Sequence, residues 1–458
     1  MASASTGKEA ECKDYFIDIP PHLPPAEWPE CCIYRVPKKL RMVNEEAYTP
    51  KLVSIGPFHH HINGSTDMEM HKMRYLKDFF DQTERSQEGF LKIIKDNEVK
   101  IRHCYSETIE HNSNDFVKMI LLDAIFIIEL FSRNDRNDGS DYILSKPWLR
   151  LGITHDLMLL ENQLPFFILE KLYMLAFDLN DSSSFNHHEE DKQIEEHKKD
   201  PFFVKLCRNY FKDYDHQPDS IIGKEIKHFT DLVRFLLCSV PNLHPKEHFH
   251  TRYCATKLDD AGLKFKAVNK RLLDITFAGN KCLGHFPCCN MSWLLACLPC
   301  LKGVKCLERM QSILEVPIVV IDDSTEAVFR NLIALEQCHY PSETYICNYA
   351  VLLDYLIDNE KDVELLVDKN VIVNNIGSNA AVAALINGLC LQIVEDNSCY
   401  SDLGKQINEY SDNHLNRIMA TMKSEFFRDF WRGTATTVAL VVLLYQFWSF
   451  LRPFVFKK

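Results

Sequence analysis

The chain has 458 residues, 46% of them hydrophobic and 25% charged, a composition that folds rather than stays disordered. Its formal charge is −12 and no basic stripe stands out. Nucleic-acid binding draws its affinity from Lys and Arg neutralising phosphates, so no nucleic-acid partner is expected.

Residues 1–30 read as a flexible arm, with five prolines between Pro20 and Pro29 removing backbone donors. They carry Lys8, Glu9, Glu11, Lys13 and Asp14 but no apolar run, so no secretory signal is expected there. That places the bulk of the chain in reducing cytosol, where its seventeen cysteines stay thiols. A globular domain is expected over 31–430. Its first stretch, Ile33 to His61, is loop-like and punctuated by Pro37, Pro50, Gly56 and Pro57. From Met70 the residues Met73, Leu76, Phe79 and Phe80 recur at helical steps and suggest one apolar face. The stretch Asp115 to Phe131 is apolar nearly all round and suits a central helix. His155 to Phe177 reads as helix with a kink or break at Pro165. Residues 178–200, rich in Asp, Glu, His and Lys, form a polar loop.

Helices resume over 201–212 and 224–239. Alternation at Leu263, Phe265 and Ala267 and the β-branched run Ile318 to Ile321 predict a small β element. Helices return at Glu326–Glu336, Thr344–Asn359, Val363–Val367 and Ala380–Ile393, and a long one starts at Asp402. The fold class is therefore mainly α (α+β), a large multi-helix globular domain with a small sheet. A single C-terminal transmembrane helix is expected over 433–456. Gly433 to Leu451 carries no charge, and as helix it measures about 28 Å, near the thickness of a bilayer core. Arg428 and Arg432 precede it, Arg452, Lys457 and Lys458 follow, and Tyr445, Phe447, Trp448 and Phe450 resemble interfacial aromatics. The expectation is a single-pass, tail-anchored protein that meets the membrane through this helix, with its N-terminal domain cytosolic and the plasma membrane as its site.

Catalytic motifs are missing: there is no GxG, no phosphate loop, no HExxH and no GxSxG. The loop Asn134 to Asp141 fails as a calcium loop because Arg136 and Ser145 occupy ligand positions. Glu161, Asn162 and Gln163 lie between apolar runs and must be hydrogen-bonded if buried. The bland reading is bracing around Pro165. The sharper one makes Glu161 a buried acid facing Asp123 or Glu129, and these three are the catalytic candidates. His59, His60, His61 and His71 suggest a metal less than a solvated or structural loop, lacking a helical i, i+4 pair. No cofactor is indicated.

Several segments together resemble one plant family, catalogued as domain of unknown function 247 (UPF0481-type proteins). They are IYRVPKKLRMVNEEAYTPKLVSIGPFHH from Ile33, MILLDAIFIIELF from Met119, DLMLLENQLPFFILEKLY from Asp156, AGLKFK from Ala261, VFRNLIALEQ from Val328 and the run Asp362 to Leu366. The resemblance implies a plant protein with a terminal hydrophobic helix and unassigned biochemistry. Some grass members are associated with self-incompatibility loci, which implies recognition or signalling. This chain departs from the pattern by the insertion 279–306, which holds six cysteines. Cys297, Cys300 and Cys306 with His285 are the metal candidates, since thiolates and an imidazole can hold zinc. Acylation of the cysteines, or a divergent insertion without function, are the other readings. The functional expectation is a membrane-anchored interaction or signalling module with a protein partner. The alternative is a small-molecule enzyme with a buried acidic site near Asp123 and Glu161.

Overall fold

A helix with apolar side chains on every face has to lie inside a fold, and Ser113–Asp135 does: residues from Phe116 to Ser132 are buried on nearly all sides. The computed structural model describes residues 25–60, 66–177, 201–215, 224–238, 247–278, 311–395, 397–413, 421 and 430–455. The polar stretch 178–200, the insertion 279–306 and most of the arm 1–30 lie outside the described residues.

In chain order the N-terminal half contains α1 (Lys38–Arg41), a 3-10 turn (Glu45–Tyr48), α2 (Thr66–Thr83), α3 (Gln87–Asp96), α4 (Glu98–His103), α5 (Ser113–Asp135), α6 (Pro147–Asp156), α7 (Phe166–Ala176) and α8 (Phe202–Tyr210). Helices α2, α3, α7 and α8 pack around α5. The second half adds a 3-10 turn (Lys212–Tyr214), α9 (Phe229–Leu237), α10 (Ala255–Asp260), β1 (Lys264–Val268), β2 (Thr276–Ala278), β3 (Ile313–Pro317) and β4 (Val319–Ile321). After these come α11 (Thr325–His339), α12 (Tyr345–Leu356), α13 (Glu360–Asp368), β5 (Ile372–Asn374), α14 (Asn379–Leu389), α15 (Ser401–Asp412) and α16 (Phe430–Val455). Two small sheets sit among these helices. β3 is central in one, parallel to β1 and antiparallel to β2, and β4 pairs in parallel with β5. One continuous core joins both halves.

Local chemistry sets the boundaries. Asn112 caps α5 by accepting from the Asp115 amide, and Asn359 with Asp362 forms a capping box on α13. The helix expected from His155 to Phe177 is corrected: α6 ends at Asp156, Leu157–Leu164 is loop, and only the part after Pro165 is helix, as α7. The buried stripe of α2 differs from the expected one. It is Met68, Lys72, Tyr75 and Phe79, while Met73 is exposed and Leu76 and Phe80 are half-buried. A lysine enters the stripe because Asp123 of α5 meets its ammonium at 2.7 Å.

The C-terminal expectation is corrected. Helix α16 exists, but among the described residues no helix is long and apolar enough to cross a membrane. A charge-free stretch is not an apolar one. Thr434, Thr436 and Thr437 precede, and Gln446 and Ser449 follow, an unbroken apolar run of only seven residues, Val438 to Leu444. That run is about 10 Å long against a hydrocarbon layer of about 30 Å. The transmembrane helix in the fold class, the membrane partner, the single-pass tail anchor and the plasma-membrane location that rested on it are withdrawn together.

The segment Ile33 to Phe58 runs along the helical body as irregular chain interrupted by α1 and the 3-10 turn Glu45–Tyr48. Its ladder pairing among the described residues is one isolated bridge between Ile33 and Tyr105. Near its end Gly56 takes φ +72°, and a Cβ there would lie 2.6 Å from the Gln163 carbonyl oxygen. Left-handed backbone costs a side-chain-bearing residue about 1–2 kcal/mol before any collision is added. Gly56→Ala is therefore expected to lower unfolding free energy by about 2 kcal/mol or more, measured by urea denaturation. An unchanged midpoint would show that the close approach of the two segments is not required.

Candidate functional site

Between α6 and α7 the chain has neither ladder nor helix, so the buried side chains there must supply the hydrogen bonds. Glu161, Asn162 and Gln163 are all essentially inaccessible to solvent. Glu161 accepts from Arg35 Nη1 at 2.8 Å, from the Val36 amide at 2.7 Å and from Arg41. His59 Nε2 lies 3.3 Å from the same carboxylate, within charge contact but outside hydrogen-bond geometry. Burial pushes the Glu161 carboxyl up, but His59, the Val36 amide and Arg41 outweigh it and hold it at about 2. Asn162 accepts from the Ile55 amide at 2.7 Å and donates to the Val53 and Asp156 carbonyls. Gln163 donates to the Leu157 and Leu159 carbonyls and accepts from the Phe229 amide at 2.9 Å.

The other two acids expected beside Glu161 have partners of their own. Asp123 accepts from Lys72 Nζ at 2.7 Å and from the Gly56 amide at 2.8 Å. Burial works against the Lys72 ammonium, but Asp123 and Glu69 outweigh it and raise its pKa. Glu129 accepts from Arg133 Nε at 2.7 Å and from Arg136 at 3.3 Å. Arg133 also reaches Asp78 and Asp141, so one guanidinium joins acids of α2, α5 and the loop after it. Each acid thus serves a different set of contacts.

The metal candidates Cys297, Cys300, Cys306 and His285 lie outside the described residues, as does His61. Of the other histidines, His59 packs against Glu161, His60 against His111 and His71 against Tyr142, so they do not converge. Among the described residues Cys254, Asp358 and Asp362 have their ligand atoms within 4.8 Å of one another. Asp362, however, is already spent on donors. It accepts from the Thr256 amide and hydroxyl and from the Asp358 and Asn359 amides, which ties α13 to α10.

The structure brings a different set of residues together in a cleft of about 750 Å³. One wall is α6 with Arg150, Leu151, Thr154 and His155, and the facing wall is β4 and the start of α11, with Ile318, Val320, Val328 and Phe329. Tyr210, Lys212, Asp213 and Tyr214 close one side. The lips are apolar and open: Leu151 is 54% exposed, Ile318 44% and Val320 49%. The polar groups fall into two kinds. Asp322 is engaged, its Oδ1 accepting from the amides and hydroxyls of Ser324 and Thr325, and the Thr154 hydroxyl sits 3.1 Å from that of Tyr210. His155 Nε2 is buried with no hydrogen-bond partner among the described residues, and burial, opposed by Asp322, lowers the ring's pKa. Burial also pushes the Tyr214 hydroxyl up to about 12. None of the three catalytic candidates lines this cleft.

The sequence marks Ile318 to Ile321 as β-branched but assigns no cleft residue to a site, although two signals are there. Helix α6 carries two apolar stripes, Leu149 and Ile153 facing the core and Leu151 facing out. Strand β4 is β-branched on both faces, Val319 and Ile321 inward and Val320 outward, a pattern that asks for cover on both sides.

A family model described as a plant protein of unknown function, DUF247, matches residues 33–445. A UPF0481 protein of Arabidopsis thaliana is 29% identical over 439 residues, covering 90% of this chain and 84% of its own. A second UPF0481 protein of the same plant is 22% identical over 440 residues, covering 78% and 77%. No solved structure gives a significant match.

The braces predict how stability depends on pH. Glu161 sits at about 2 in the fold against an ordinary 4.5, so its contribution is complete above 4.5 and is lost as pH falls toward 2. His228 is buried, with Nε2 2.9 Å from the Cys32 carbonyl and Nδ1 accepting from the Asp231 amide. Burial pulls its pKa from 6.5 to about 3, so the unfolded chain takes the proton first and stability falls across that window. Asp231 opposes them: burial lifts its carboxyl to about 6, and its contribution is lost as pH rises from 3.8 through 6. Urea denaturation from pH 7 to 3 should show a net loss that steepens below 4.5, and Glu161→Gln should flatten that lower part. An identical acid slope in Glu161→Gln would remove the carboxylate from this role.

Proposed function

We propose, for a chain that belongs to the DUF247 family of plant proteins of unknown function, that it is a recognition module which binds its ligand in the cleft between α6 and β4. The observation that carries this reading is the apolar lining of that cleft, with Leu151, Ile318 and Val320 left open to solvent. An exposed apolar side chain on an otherwise well-packed domain costs little alone. A cluster of them around a concavity is what a binding surface needs. The cleft contains hydroxyls, one imidazole, two cations and two carboxylates; its hydroxyl–carboxylate contacts, Ser324 and Thr325 with Asp322, belong to the turn that opens α11, where Asp322 also takes the Ser324 and Thr325 amides. Of the buried acids that invited an enzymatic reading, Glu161 and Asp123 hold backbone amides and Glu129 holds Arg133 and Arg136, which favours binding over chemistry.

The test is uptake of an uncharged apolar fluorophore, N-phenyl-1-naphthylamine, by the full chain. Fluorescence should rise on binding, and Leu151→Glu or Val320→Glu should weaken it at least tenfold, since each introduces a charge that the apolar wall cannot pair. Thermal unfolding of both variants should match the parent, because both side chains are already open to water. Binding that is absent from the parent, or that survives both substitutions, would overturn the reading.

A further inference from the structure

We infer that the ligand of this cleft is an amphiphilic organic anion, an apolar body with one carboxylate- or sulfonate-like group held by Arg150. The inference rests on the cleft being a binding site and adds the charge of what it binds.

Most buried or half-buried arginines elsewhere in the fold are met by acids: Arg35, Arg41, Arg102, Arg133, Arg234 and Arg330 stand in ion pairs, while the exposed Arg74 meets His71. With 64 acidic residues against 52 basic ones, an arginine here has no shortage of carboxylates. Arg150 is nonetheless half-buried in the cleft wall with no ion pair or side-chain hydrogen bond among the described residues. A guanidinium offers five donors in a planar fork that fits a carboxylate or sulfonate side-on. With no acid beside it, that fork is available to a carboxylate or sulfonate entering the cleft.

The imidazole of His155 makes the same demand. Its Nε2 is buried in the same wall, one helical turn beyond Leu151, and no hydrogen-bond partner meets it among the described residues. A buried polar atom without a partner calls for water or a ligand atom. Lys212, on the rim, also lacks an ion pair among the described residues. Two acids line the cleft as well. Asp322 has its Oδ1 committed to the Ser324–Thr325 turn, and Asp213 is exposed beside Lys212 at the rim, so neither is placed as the partner of Arg150. The remaining lining is chiefly apolar, and about 750 Å³ lies within the range of small-molecule sites, roughly 300–1,000 Å³. Cationic and imidazole donors at one wall and an apolar body-sized space beside them describe an organic anion.

Two fluorophores that differ by one sulfonate separate the charge from the cleft. In titrations of the full chain, 1-anilinonaphthalene-8-sulfonate should bind at least tenfold tighter than N-phenyl-1-naphthylamine. Arg150→Gln should weaken the sulfonate about tenfold and leave the uncharged probe within twofold. Arg150→Lys should recover part of the loss, because it restores the charge without the fork. Leu151→Glu should weaken both probes, which ties the signal to this cleft. Equal affinity of the two probes in the parent, or an equal effect of Arg150→Gln on both, would overturn the anion while leaving the cleft a binding site. Failure of both probes to bind, or binding unaffected by Leu151→Glu, would remove the binding site itself and the anion with it.

Discussion

The N-terminal half of this fold depends on how the irregular stretches of Ile33 to Phe58, on either side of α1 and its 3-10 turn, have their backbone satisfied. A chain that crosses a protein interior outside helix or sheet carries amides that cost free energy unless each finds an acceptor. Here the acceptors are buried side chains from the helical body. Glu161 takes the Val36 amide, Asp156 takes those of Lys51, Leu52 and Val53, Asn162 takes that of Ile55 and Asp123 that of Gly56. Carboxylates suit the task because a charged acceptor makes stronger bonds, yet a buried charge must be balanced. Arg35 and Arg41 balance Glu161, and Lys72 balances Asp123.

That arrangement explains what could be read in advance and what could not. The central helix α5 was legible because its apolar residues cover every face, and the start of α7 because proline cannot continue a hydrogen-bonded helix, whereas the loop Leu157–Leu164 reads as helix from its leucines alone. The need for partners at Glu161, Asn162 and Gln163 was legible from their apolar neighbours. The partners themselves were not, since they lie more than a hundred residues upstream for Val36 and Ile55 and 66 residues downstream for Phe229. The face of α2 was misjudged for the same reason. Lys72 reads as a solvent residue until Asp123, 51 residues away, is brought against it. At the C-terminus the error was of another kind, in that absence of charge was taken for apolarity and the threonines and glutamine were not counted against it.

The cleft escaped notice because its residues are unremarkable singly and acquire meaning only when α6 and β4 face each other. Leu151 and Val320 are ordinary surface exceptions taken alone, as scattered exposed apolar residues are in most proteins. Together on the rim of one concavity, with Val328 and Phe329 also in its lining, they form a largely apolar space. The buried acids, which a search for catalysis reaches first, belong to the scaffold of that space and do not enter it.

The scaffold also bears on whether the cleft is formed in advance of its ligand. On α6, Asp156 points inward to three backbone amides while His155, one residue earlier, lines the cleft. Gly152 brings the same helix so close to Leu52 that a Cβ would collide with it. Helix α11, whose first turns carry Thr325, Val328 and Phe329 into the cleft, is fixed near its other end by Glu336. That carboxylate accepts from Arg234 at 3.0 Å and from the Ile346 and Cys347 amides. Each wall is therefore pinned from behind by a buried carboxylate holding backbone, and a helix so held cannot slide or rotate without breaking several charge-assisted bonds at once. Closing on a ligand by moving either wall would cost those bonds, so the cleft has to recognise its ligand in the shape it already has. Selectivity then comes from which groups stand unpaired along rigid walls, and the two that do so on α6 are a guanidinium and an imidazole.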